Sequence, residues 1–450
     1  MERSLKPYIE EKKPIHLIGI GGVSMNSLAE LLLSLGVPVT GSDRAHSAVA
    51  ERLERLGAKI TYAHLPENVE NGALIVRTAA VHDDNPEIIR AHEKGIPVME
   101  RAEAWGSLMK DYRNVICLSG THGKTTTTSM MSLIAMHAQL DPTVMVGSNL
   151  PAIGGTLRIG GKGCFVAESC EYCNSFLSFS PTIAVILNIE ADHLDFFKDL
   201  DDIIHSFHAF CLRTPENGLV VVNADDANAK KAVEGVDRAV LTFGTQPAAD
   251  VYPENVTVKN GYYSFDVMVR GEKYTSVTLS VPGRHNMLNA LASCAVSSYL
   301  KLDGGRVGEG LNAFTGSSRR FQRTGAMPNG ALVVDDYAHH PSEMRATLAA
   351  AREMDFDRIL CAFQPHTYTR TKALFDEFVD ALGLCDLAIL APIYAAREQN
   401  TIGISSADLA AKVPGSKSFD SFEQIADFLR KEAKPGDLVL TMGAGNIDEV

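Results

Sequence analysis

Two segments of the sequence pass from a short apolar strand through a glycine-containing turn directly into a helix. The first joins the strand Ile15–Ile18 to an apolar-periodic helix that reaches Leu35, and another strand follows at 37–40. The second joins a strand at 114–120 to a helix from Lys124 to about Gln139. Buried strands that alternate with helices form parallel sheets with right-handed crossovers. The pattern therefore predicts an α/β protein.

The length of 450 residues and changes in the pattern of strands and helices along the chain predict three domains. Residues 1–112 are expected to form a Rossmann-like domain around the first glycine turn. Residues 113–315 read as a central P-loop-type ATPase domain with a parallel sheet, and the alternation at 251–281 indicates an antiparallel excursion. Residues 316–450 alternate strand and helix, which predicts a Rossmann-like C-terminal domain. Its strands end in polar residues, at the edge where such sheets bind ligands.

The charge and the hydrophobic pattern exclude several functions. A net charge of −13, from 55 acidic and 42 basic residues, argues against a nucleic-acid surface. We expect no membrane association, because the start is too polar for a signal peptide and no apolar run reaches about 20 residues. Eight scattered cysteines do not form a disulfide framework. The composition predicts a soluble, cytoplasmic protein.

The segment GTHGKTTTT, residues 120–128, is the strongest candidate for a phosphate-binding loop. A standard P-loop, G-x-x-x-x-G-K-[ST], would need a glycine where Leu118 stands. The segment nevertheless lies between a buried strand and a helix, whose first N–H groups attract anions. Lys124 can reach the β- and γ-phosphates of ATP, and the Thr125 hydroxyl can bind Mg²⁺. We expect the rest of the cradle to be Gly120, Thr121, His122, Gly123 and Thr126.

Two strand ends downstream of this loop carry candidate metal ligands. The strand CFVAES ends in Glu168, and VILNIEADHLD ends in a polar cluster that includes His193. A carboxylate at the tip of a strand beside the phosphate loop suits Mg²⁺. The alternatives are a surface carboxylate for Glu168 and a hydrogen-bonded loop residue for His193.

The first glycine turn, GIGGVSM, is a weaker signal. It departs from G-x-G-x-x-G at Ser24, although Asp43 follows about twenty residues later, as in nicotinamide dehydrogenases. Binding of another nucleotide's diphosphate is the favoured interpretation. The isolated C-x-x-C of Cys170 and Cys173 has no second pair at zinc-finger spacing, so it does not predict zinc.

Three more segments carry polar groups beyond what solubility requires. His285, Asn286 and Asn289 lie at a helix entrance, where they could cap the helix or contact an adenine or ribose edge. The segments VVDDYAHHP and FQPHTYTRTK follow two strands of the C-terminal domain. Their convergent side chains predict a binding site at that sheet edge.

Taken in order, the segments GTHGKTTTT, NIEADHLD, GRHNMLNA, DDYAHHPSE and FQPHTYTRT resemble the Mur ligases of peptidoglycan synthesis. The resemblance extends from Ile15 to Asn446 and is strongest for members that join L-alanine to UDP-N-acetylmuramate. It implies ATP and Mg²⁺, an acyl-phosphate intermediate, and a C-terminal domain that closes on the others and brings the amino acid. A ligase that recycles a whole peptide onto the same sugar, and a non-catalytic UDP-sugar-binding protein, are the alternatives. We expect a monomer or a weak homodimer.

The resemblance also implies roles for individual residues. The UDP diphosphate would face Gly19, Gly21 and Gly22, with Asp43 near the same pocket. ATP would meet the loop 120–126 together with His285, Asn286, Asn289, Arg319 and Arg320, and the metal would meet Thr125, Glu168 and His193. The C-terminal edge would consist of Asp336, Tyr337, His339, His340, His366 and Arg370. The residues implied in the reaction itself are Lys124, His193, His339 and Arg370.

Four positions depart from the family pattern. Ser24 replaces a glycine, which we interpret as a packing change at the helix start. Cys170 and Cys173 stand where many members have aspartates, so no acidic role is assigned to them. Thr367 stands where some members have arginine, which leaves the alanine carboxylate to Arg370, with His339 as a further candidate.

Overall fold

The computed structural model of the protein describes residues 4–396 and 398–450. This part of the chain contains three β-sheets, of five, ten and six strands, and helices connect many of the consecutive strands. The α/β class predicted from the alternation of strands and helices is confirmed.

The N-terminal sheet is entirely parallel, with the order β3-β2-β1-β4-β5. Its central strand β1 is buried along its whole length, as expected for a strand covered on both faces. Its strands are β1 (Ile15–Ile18), β2 (Val39–Ser42), β3 (Lys59–Thr61), β4 (Leu74–Arg77) and β5 (Val98–Glu100). The helices are α1 (Lys6–Glu10), α2 (Val23–Ser34), α3 (Ala48–Arg55), α4 (Pro86–Glu93) and α5 (Arg101–Met109), with a 3₁₀ turn at Pro66–Val69.

The second sheet begins with β6 (Asn114–Ser119), β7 (Thr143–Leu150), β8 (Gly155–Arg158), β9 (Cys164–Glu168) and β10 (Ile183–Ile186). It continues with β11 (Leu219–Asn223), β12 (Ala239–Phe243), β13 (Val251–Lys259), β14 (Tyr262–Val269) and β15 (Glu272–Pro282). The order is β15-β14-β13-β12-β11-β10-β6-β9-β7-β8, so β6 lies between β10 and β9. The accompanying helices are α6 (Lys124–His137), α7 (Leu200–Leu212), α8 (Ala227–Ala232), α9 (Arg284–Tyr299) and α10 (Gly304–Asn312), with 3₁₀ turns at Pro151–Ile153 and Tyr172–Ser178.

The predicted antiparallel excursion corresponds to β13, β14 and β15. Asn260 and Gly261 connect the first two strands with φ of 49° and 75°, and Arg270 and Gly271 connect the next pair with φ of 50° and 86°. Positive φ at both central residues is the geometry that two-residue hairpins require. The Asn-Gly turn expected from the sequence is therefore confirmed.

Helix α6 is almost fully buried although its first half is a run of threonines and serines. The hydroxyls of Thr127, Ser129 and Ser132 donate to carbonyl oxygens four residues earlier, at 2.9, 2.8 and 2.6 Å. This bonding satisfies polar groups that would be costly to bury alone. The phosphate-loop helix can consequently pack inside the protein.

The C-terminal sheet has the order β16-β17-β21-β18-β19-β20, with only β16 antiparallel to its neighbour among the described strands. This order sets the carboxyl ends of β17, β21 and β18 side by side. Its strands are β16 (Gln322–Ala326), β17 (Leu332–Asp336), β18 (Ile359–Phe363), β19 (Leu387–Leu390), β20 (Lys417–Ser418) and β21 (Leu438–Met442). The helices are α11 (Pro341–Arg352), α12 (Tyr368–Ala373), α13 (Phe375–Leu382), α14 (Ser406–Ala410) and α15 (Phe422–Glu432), with a last 3₁₀ turn at Ile447–Glu449.

The chain divides into two compact units. The first comprises the chain up to Tyr252 together with Met268–Tyr274 and Leu291–Gly310, and the second comprises Pro253–Val267, Thr275–Ala290 and Leu311–Val450. The N-terminal sheet and the phosphate loop belong to the same unit. No helix in the described part of the chain has both the length and the apolar character to cross a membrane.

Candidate active site

The loop between β6 and α6 is tighter than a standard P-loop because the end of β10 holds it. Gly120 has φ 145°, and a Cβ there would lie 2.9 Å from the Cβ of Leu187. The N–H of Thr121 donates to the carbonyl oxygen of Asn188 at 3.0 Å, and that of His122 donates to the Asn188 side chain at 2.7 Å. Gly123, with φ 82°, then caps the helix in a left-handed conformation. This loop thus presents the first turn of α6 to a ligand, although Leu118 stands where a standard P-loop has a glycine.

Lys124 is held against this loop by an acidic partner that the sequence analysis did not identify. Its Nζ donates to the carbonyl oxygens of Gly120 (2.5 Å) and Thr121 (3.0 Å) and pairs with Glu171 at 3.0 Å. Burial disfavours the charge, but the Glu171 carboxylate outweighs burial and holds the pKa of Lys124 above its usual value. The ammonium is therefore charged at neutral pH.

The predicted metal ligands Thr125 and Glu168 are in contact. The Thr125 hydroxyl donates to Oε1 of Glu168 at 2.9 Å, and the N–H of Gly147 donates to Oε2 at 2.6 Å. The contact follows from the parallel pairing of β6 with β9, in which Leu118 lies opposite Glu168. A hydroxyl and a carboxylate are the hard oxygen ligands that Mg²⁺ prefers, so these residues fit that ion.

His193 lies in the same unit, in a loop where its backbone φ is 53°. Its ring is 4.6 Å from the ring of Tyr172, and its Nε2 lies 3.8 Å from the Asp192 carboxylate. Within the described ranges, neither a hydrogen bond nor an ion pair joins His193 to Glu168. A shared metal site for these two residues stays a prediction.

The first glycine turn is organised by Asp43. The N–H of Gly21 donates to Oδ2 of Asp43 at 2.8 Å, and a Cβ on Gly21 would lie 2.9 Å from that oxygen. Gly19 has φ 77°, and Gly22 is the N-cap of α2. The turn therefore leads into a helix N-terminus, where a diphosphate can bind.

Ser24 has a structural contact that accounts for the departure from glycine. Its Oγ accepts a hydrogen bond from Nε1 of Trp105 at 3.1 Å. The hydroxyl thus satisfies an indole N–H on a side chain that is fully buried. This agrees with the interpretation of Ser24 as a packing change at the helix start.

In the second unit, the GRHNMLNA segment opens α9 with buried amides. Asn286 donates from Nδ2 to the Pro282 carbonyl oxygen at 2.7 Å, and Asn289 donates to Oδ1 of Asn286 at 3.1 Å. Burial, together with the positive charge of Arg320, lowers the pKa of His285 to about 4. His285 is consequently neutral at pH 7.

The two neighbouring arginines, Arg319 and Arg320, have different environments. Arg319 donates to Asp335 Oδ2 and to the carbonyl oxygens of Gly443 and Gly445, each at 2.8 Å. Its guanidinium therefore clamps the edge of the C-terminal sheet, a structural contact that the sequence did not reveal. Arg320 lies 5.3 Å from the Tyr337 ring centroid. Of the two, Arg320 is the better placed for a ligand, and nucleotide contact by either stays a prediction.

Asp336 and His340 shape the C-terminal edge from within. Asp336 accepts hydrogen bonds from the N–H groups of Phe321 (2.7 Å) and Ala338 (2.8 Å), and burial raises its pKa to about 6. His340 is the N-cap of α11, where its Nδ1 accepts from the N–H of Ser342 at 3.3 Å. Both side chains bond to backbone groups and so define the turn after β17.

The remaining predicted residues of that edge form a row of rings and polar groups. The Nδ1 of His339 lies 3.0 Å from the Tyr337 carbonyl oxygen, and the His339 ring is 5.7 Å from that of His366. Thr367, with φ 63°, starts the short helix α12, which carries Arg370. Because Nδ1 of His339 faces an acceptor, the neutral ring would carry its lone pair on Nε2.

The comparisons with known proteins agree with this arrangement. Residues 14–113 match the model of the Mur ligase family catalytic domain, residues 118–297 the Mur ligase middle domain, and residues 319–445 the Mur ligase glutamate ligase domain. The chain belongs to the Mur ligase family. It is similar to the UDP-N-acetylmuramate–L-alanine ligase of Lachnospira eligens, with 48% identity over 97% of this chain and 96% of that protein.

Solved structures extend the comparison. The crystal structure of a UDP-N-acetylmuramate–alanine ligase from Thermotoga maritima matches with a TM-score of 0.81 and 29% identity, over 97% of this chain and 96% of the other. A murein peptide ligase from Psychrobacter arcticus matches with a TM-score of 0.73 and 24% identity, over 97% of both chains. The second match speaks for the fold alone.

Proposed function

We propose that the protein is an ATP-dependent carboxylate–amine ligase in peptidoglycan precursor synthesis. It joins L-alanine to the carboxylate of UDP-N-acetylmuramate and releases ADP and phosphate. The observation that carries this proposal is the contact of Thr125 with Glu168 beside the charged Lys124, in a chain 48% identical to a ligase of that name. Enzymes of the Mur ligase family use ATP.

Lys124 is the residue to which we assign charge stabilisation. A carboxylate does not accept an amine at neutral pH, because its leaving group would be oxide. When the sugar carboxylate attacks the γ-phosphorus of ATP, ADP leaves and an acyl phosphate forms. The Lys124 ammonium neutralises the negative charge that spreads over the transferred group. The amine of alanine then attacks the acyl carbon, and phosphate leaves.

Mg²⁺ would be held by the Thr125 hydroxyl and the Glu168 carboxylate, with His193 as a further ligand. When bound, the ion neutralises phosphate oxygens. The 2.9 Å hydrogen bond between Thr125 and Glu168 supports the first two ligands, because it holds a neutral hydroxyl oxygen and a carboxylate oxygen next to each other. For His193, the support is its place in the NIEADHLD loop of the same unit.

At the C-terminal edge, Arg370 would bind the alanine carboxylate. We assign Nε2 of His339 as the acceptor for the proton that the alanine ammonium must lose before attack. The hydrogen-bond acceptor at Nδ1 of His339 supports this assignment, because it leaves Nε2 as the basic nitrogen. His285, Asn286, Asn289 and Arg320 would contact the nucleotide.

A recycling ligase that transfers a whole peptide is the second candidate, because the chain is also similar to the UDP-N-acetylmuramate:L-alanyl-gamma-D-glutamyl-meso-diaminopimelate ligase from Neisseria meningitides, with 27% identity and a TM-score of 0.63 over 68% of this chain and 99% of that one. Phosphate release with ATP, UDP-N-acetylmuramate and single acceptors distinguishes the two functions. The ligase proposed here responds to L-alanine, whereas a recycling enzyme responds to a tripeptide. A non-catalytic sugar-nucleotide binder would release no phosphate with any acceptor.

We further propose a cytoplasmic location and a monomer or weak homodimer. The substrates are small molecules, and their binding does not require a partner chain. Analytical ultracentrifugation at micromolar concentration tests the oligomeric state. A stable higher oligomer would contradict this part of the proposal.

A further inference from the structure

Arg101 is the first residue of α5, and later residues of that helix contact two other parts of the chain. Trp105, one turn later on the same face, bonds to Ser24 in the first turn of α2. The helix also packs closely on the segment Tyr172–Ser178, since a Cβ on Gly106 would lie 1.8 Å from the Ser178 carbonyl oxygen. Arg101 therefore begins a helix that packs both against α2, which follows the glycine turn, and against the segment after Glu171.

The charge of Glu100 acts on the guanidinium of Arg101, but the close ion pair of Glu100, at 2.7 Å, is with Arg77. In the described part of the chain, Arg101 has no counter-ion bonded to it. Across residues 4–396 and 398–450, it makes neither a hydrogen bond nor an ion pair, and its side chain is partly buried. Other arginines of the N-terminal sheet are paired: Arg77 with Glu100 at 2.7 Å, and Arg90 with Glu70 at 2.9 Å. Burial lowers the pKa of Arg101. A cation kept in such surroundings is costly without an anion, which points to a ligand.

The segment packed against α5 indicates which anion this is. Tyr172–Ser178 directly follows Glu171, and Glu171 pairs with Lys124 at 3.0 Å. The helix that begins at Arg101 therefore packs on a segment that is bonded to the phosphate loop. Lys124 belongs to the phosphate loop, and an acceptor that attacks the γ-phosphorus must lie next to it. In the proposed function that acceptor is a carboxylate.

We propose that Arg101 binds the carboxylate of the sugar nucleotide that accepts the phosphoryl group. The inference rests on the proposed function. A guanidinium matches a carboxylate in geometry and orients it, and the bond carries charge on both partners. Arg101 would thereby aim one carboxylate oxygen at the γ-phosphate, and it would select sugar nucleotides that carry the acid.

The test compares two ligands by calorimetry: UDP-N-acetylmuramate, and UDP-N-acetylglucosamine, which has the same UDP and no carboxylate. Arg101→Ala should weaken binding of the first by about 10- to 100-fold and leave binding of the second unchanged. Arg101→Lys keeps the charge but loses the planar guanidinium that can donate two parallel hydrogen bonds to a carboxylate. Its affinity for UDP-N-acetylmuramate should lie between that of the alanine variant and that of wild type. Arg113→Ala, which removes an exposed arginine just after the same helix, is the matched control and should bind both like wild type.

Equal weakening of both nucleotides would overturn the proposal, because it would place Arg101 at the diphosphate. Unchanged binding of both would overturn it as well. If Arg101→Ala does not fold, Arg101→Lys is compared with wild type, and an unaltered preference between the two ligands would count against the proposal. Wild-type protein that binds neither nucleotide would instead contradict the proposed function.

Discussion

Lys124→Ala removes one half of a buried ion pair, and two separate consequences follow. The Glu171 side chain, 3% exposed, keeps its carboxylate but loses its counter-ion. Breaking a buried pair from one side costs about 3–5 kcal/mol, so the variant should melt at a lower temperature. Because the ammonium also stabilises charge that develops in the transition state, kcat should fall by roughly 10²-fold or more. Binding of UDP-N-acetylmuramate should change little.

The double variant Lys124→Ala, Glu171→Gln separates these effects. It removes both charges, so most of the lost stability should return while kcat stays low. Thermal melting, phosphate release and calorimetric binding of UDP-N-acetylmuramate are measured on wild type and the variants. Turnover by Lys124→Ala within a few-fold of wild type would remove the lysine from the chemistry. A double variant as unstable as the single one would refute the assignment of Glu171 as its counter-ion.

Three further predictions concern the metal, the amino acid and pH. Glu168→Gln and His193→Ala should each raise the Mg²⁺ concentration for half-maximal activity without changing the melting temperature, and an unchanged Mg²⁺ dependence would remove that residue from the metal site. Arg370→Ala should raise the KM for alanine and not that for ATP, and glycine should react with a kcat/KM roughly 10- to 200-fold lower than alanine; an unaltered KM for alanine would refute the Arg370 assignment. Because the pKa of His285 is about 4 in the fold and about 6.5 when unfolded, the stability it contributes is present above pH 6.5 and lost as pH falls towards 4, by at most about 3 kcal/mol. In His285→Gln, the melting temperature should therefore fall less than in wild type between pH 6.5 and pH 4. The same pH dependence in both proteins would contradict a lowered pKa for His285.

The parts of the site that follow directly from strand order could be predicted from the sequence. Thr125 begins the helix after one strand and Glu168 ends another, and parallel pairing of the two strands brings the side chains together. The Asn-Gly hairpin could be predicted because its turn chemistry is local.

Glu171 could not be predicted in the same way. It lies in an irregular segment after β9, where Cys173 and Asn174 have positive φ of 52° and 54°. Such a segment has no periodic pattern from which its contact with Lys124 could be predicted. The contacts of Arg319 with the sheet edge include a hydrogen bond to the carbonyl oxygen of Gly445, 126 positions away. Every residue has a backbone carbonyl, so the sequence does not indicate which distant one will accept this bond. The second glutamate of ESCEYC, Glu171, was the only sequence signal for its ion pair with Lys124. The C-x-x-C pattern of the same segment directed attention to the two cysteines on either side of it.

The measurement that tests the central claim most directly is phosphate release by the wild-type protein with ATP, Mg²⁺ and UDP-N-acetylmuramate, with L-alanine, D-glutamate or a tripeptide as acceptor. The account predicts release with L-alanine and almost none with D-glutamate, because an extra carboxylate would be buried without a partner. Faster release with D-glutamate or with the tripeptide would contradict the alanine assignment. No release with any acceptor would contradict the ligase itself.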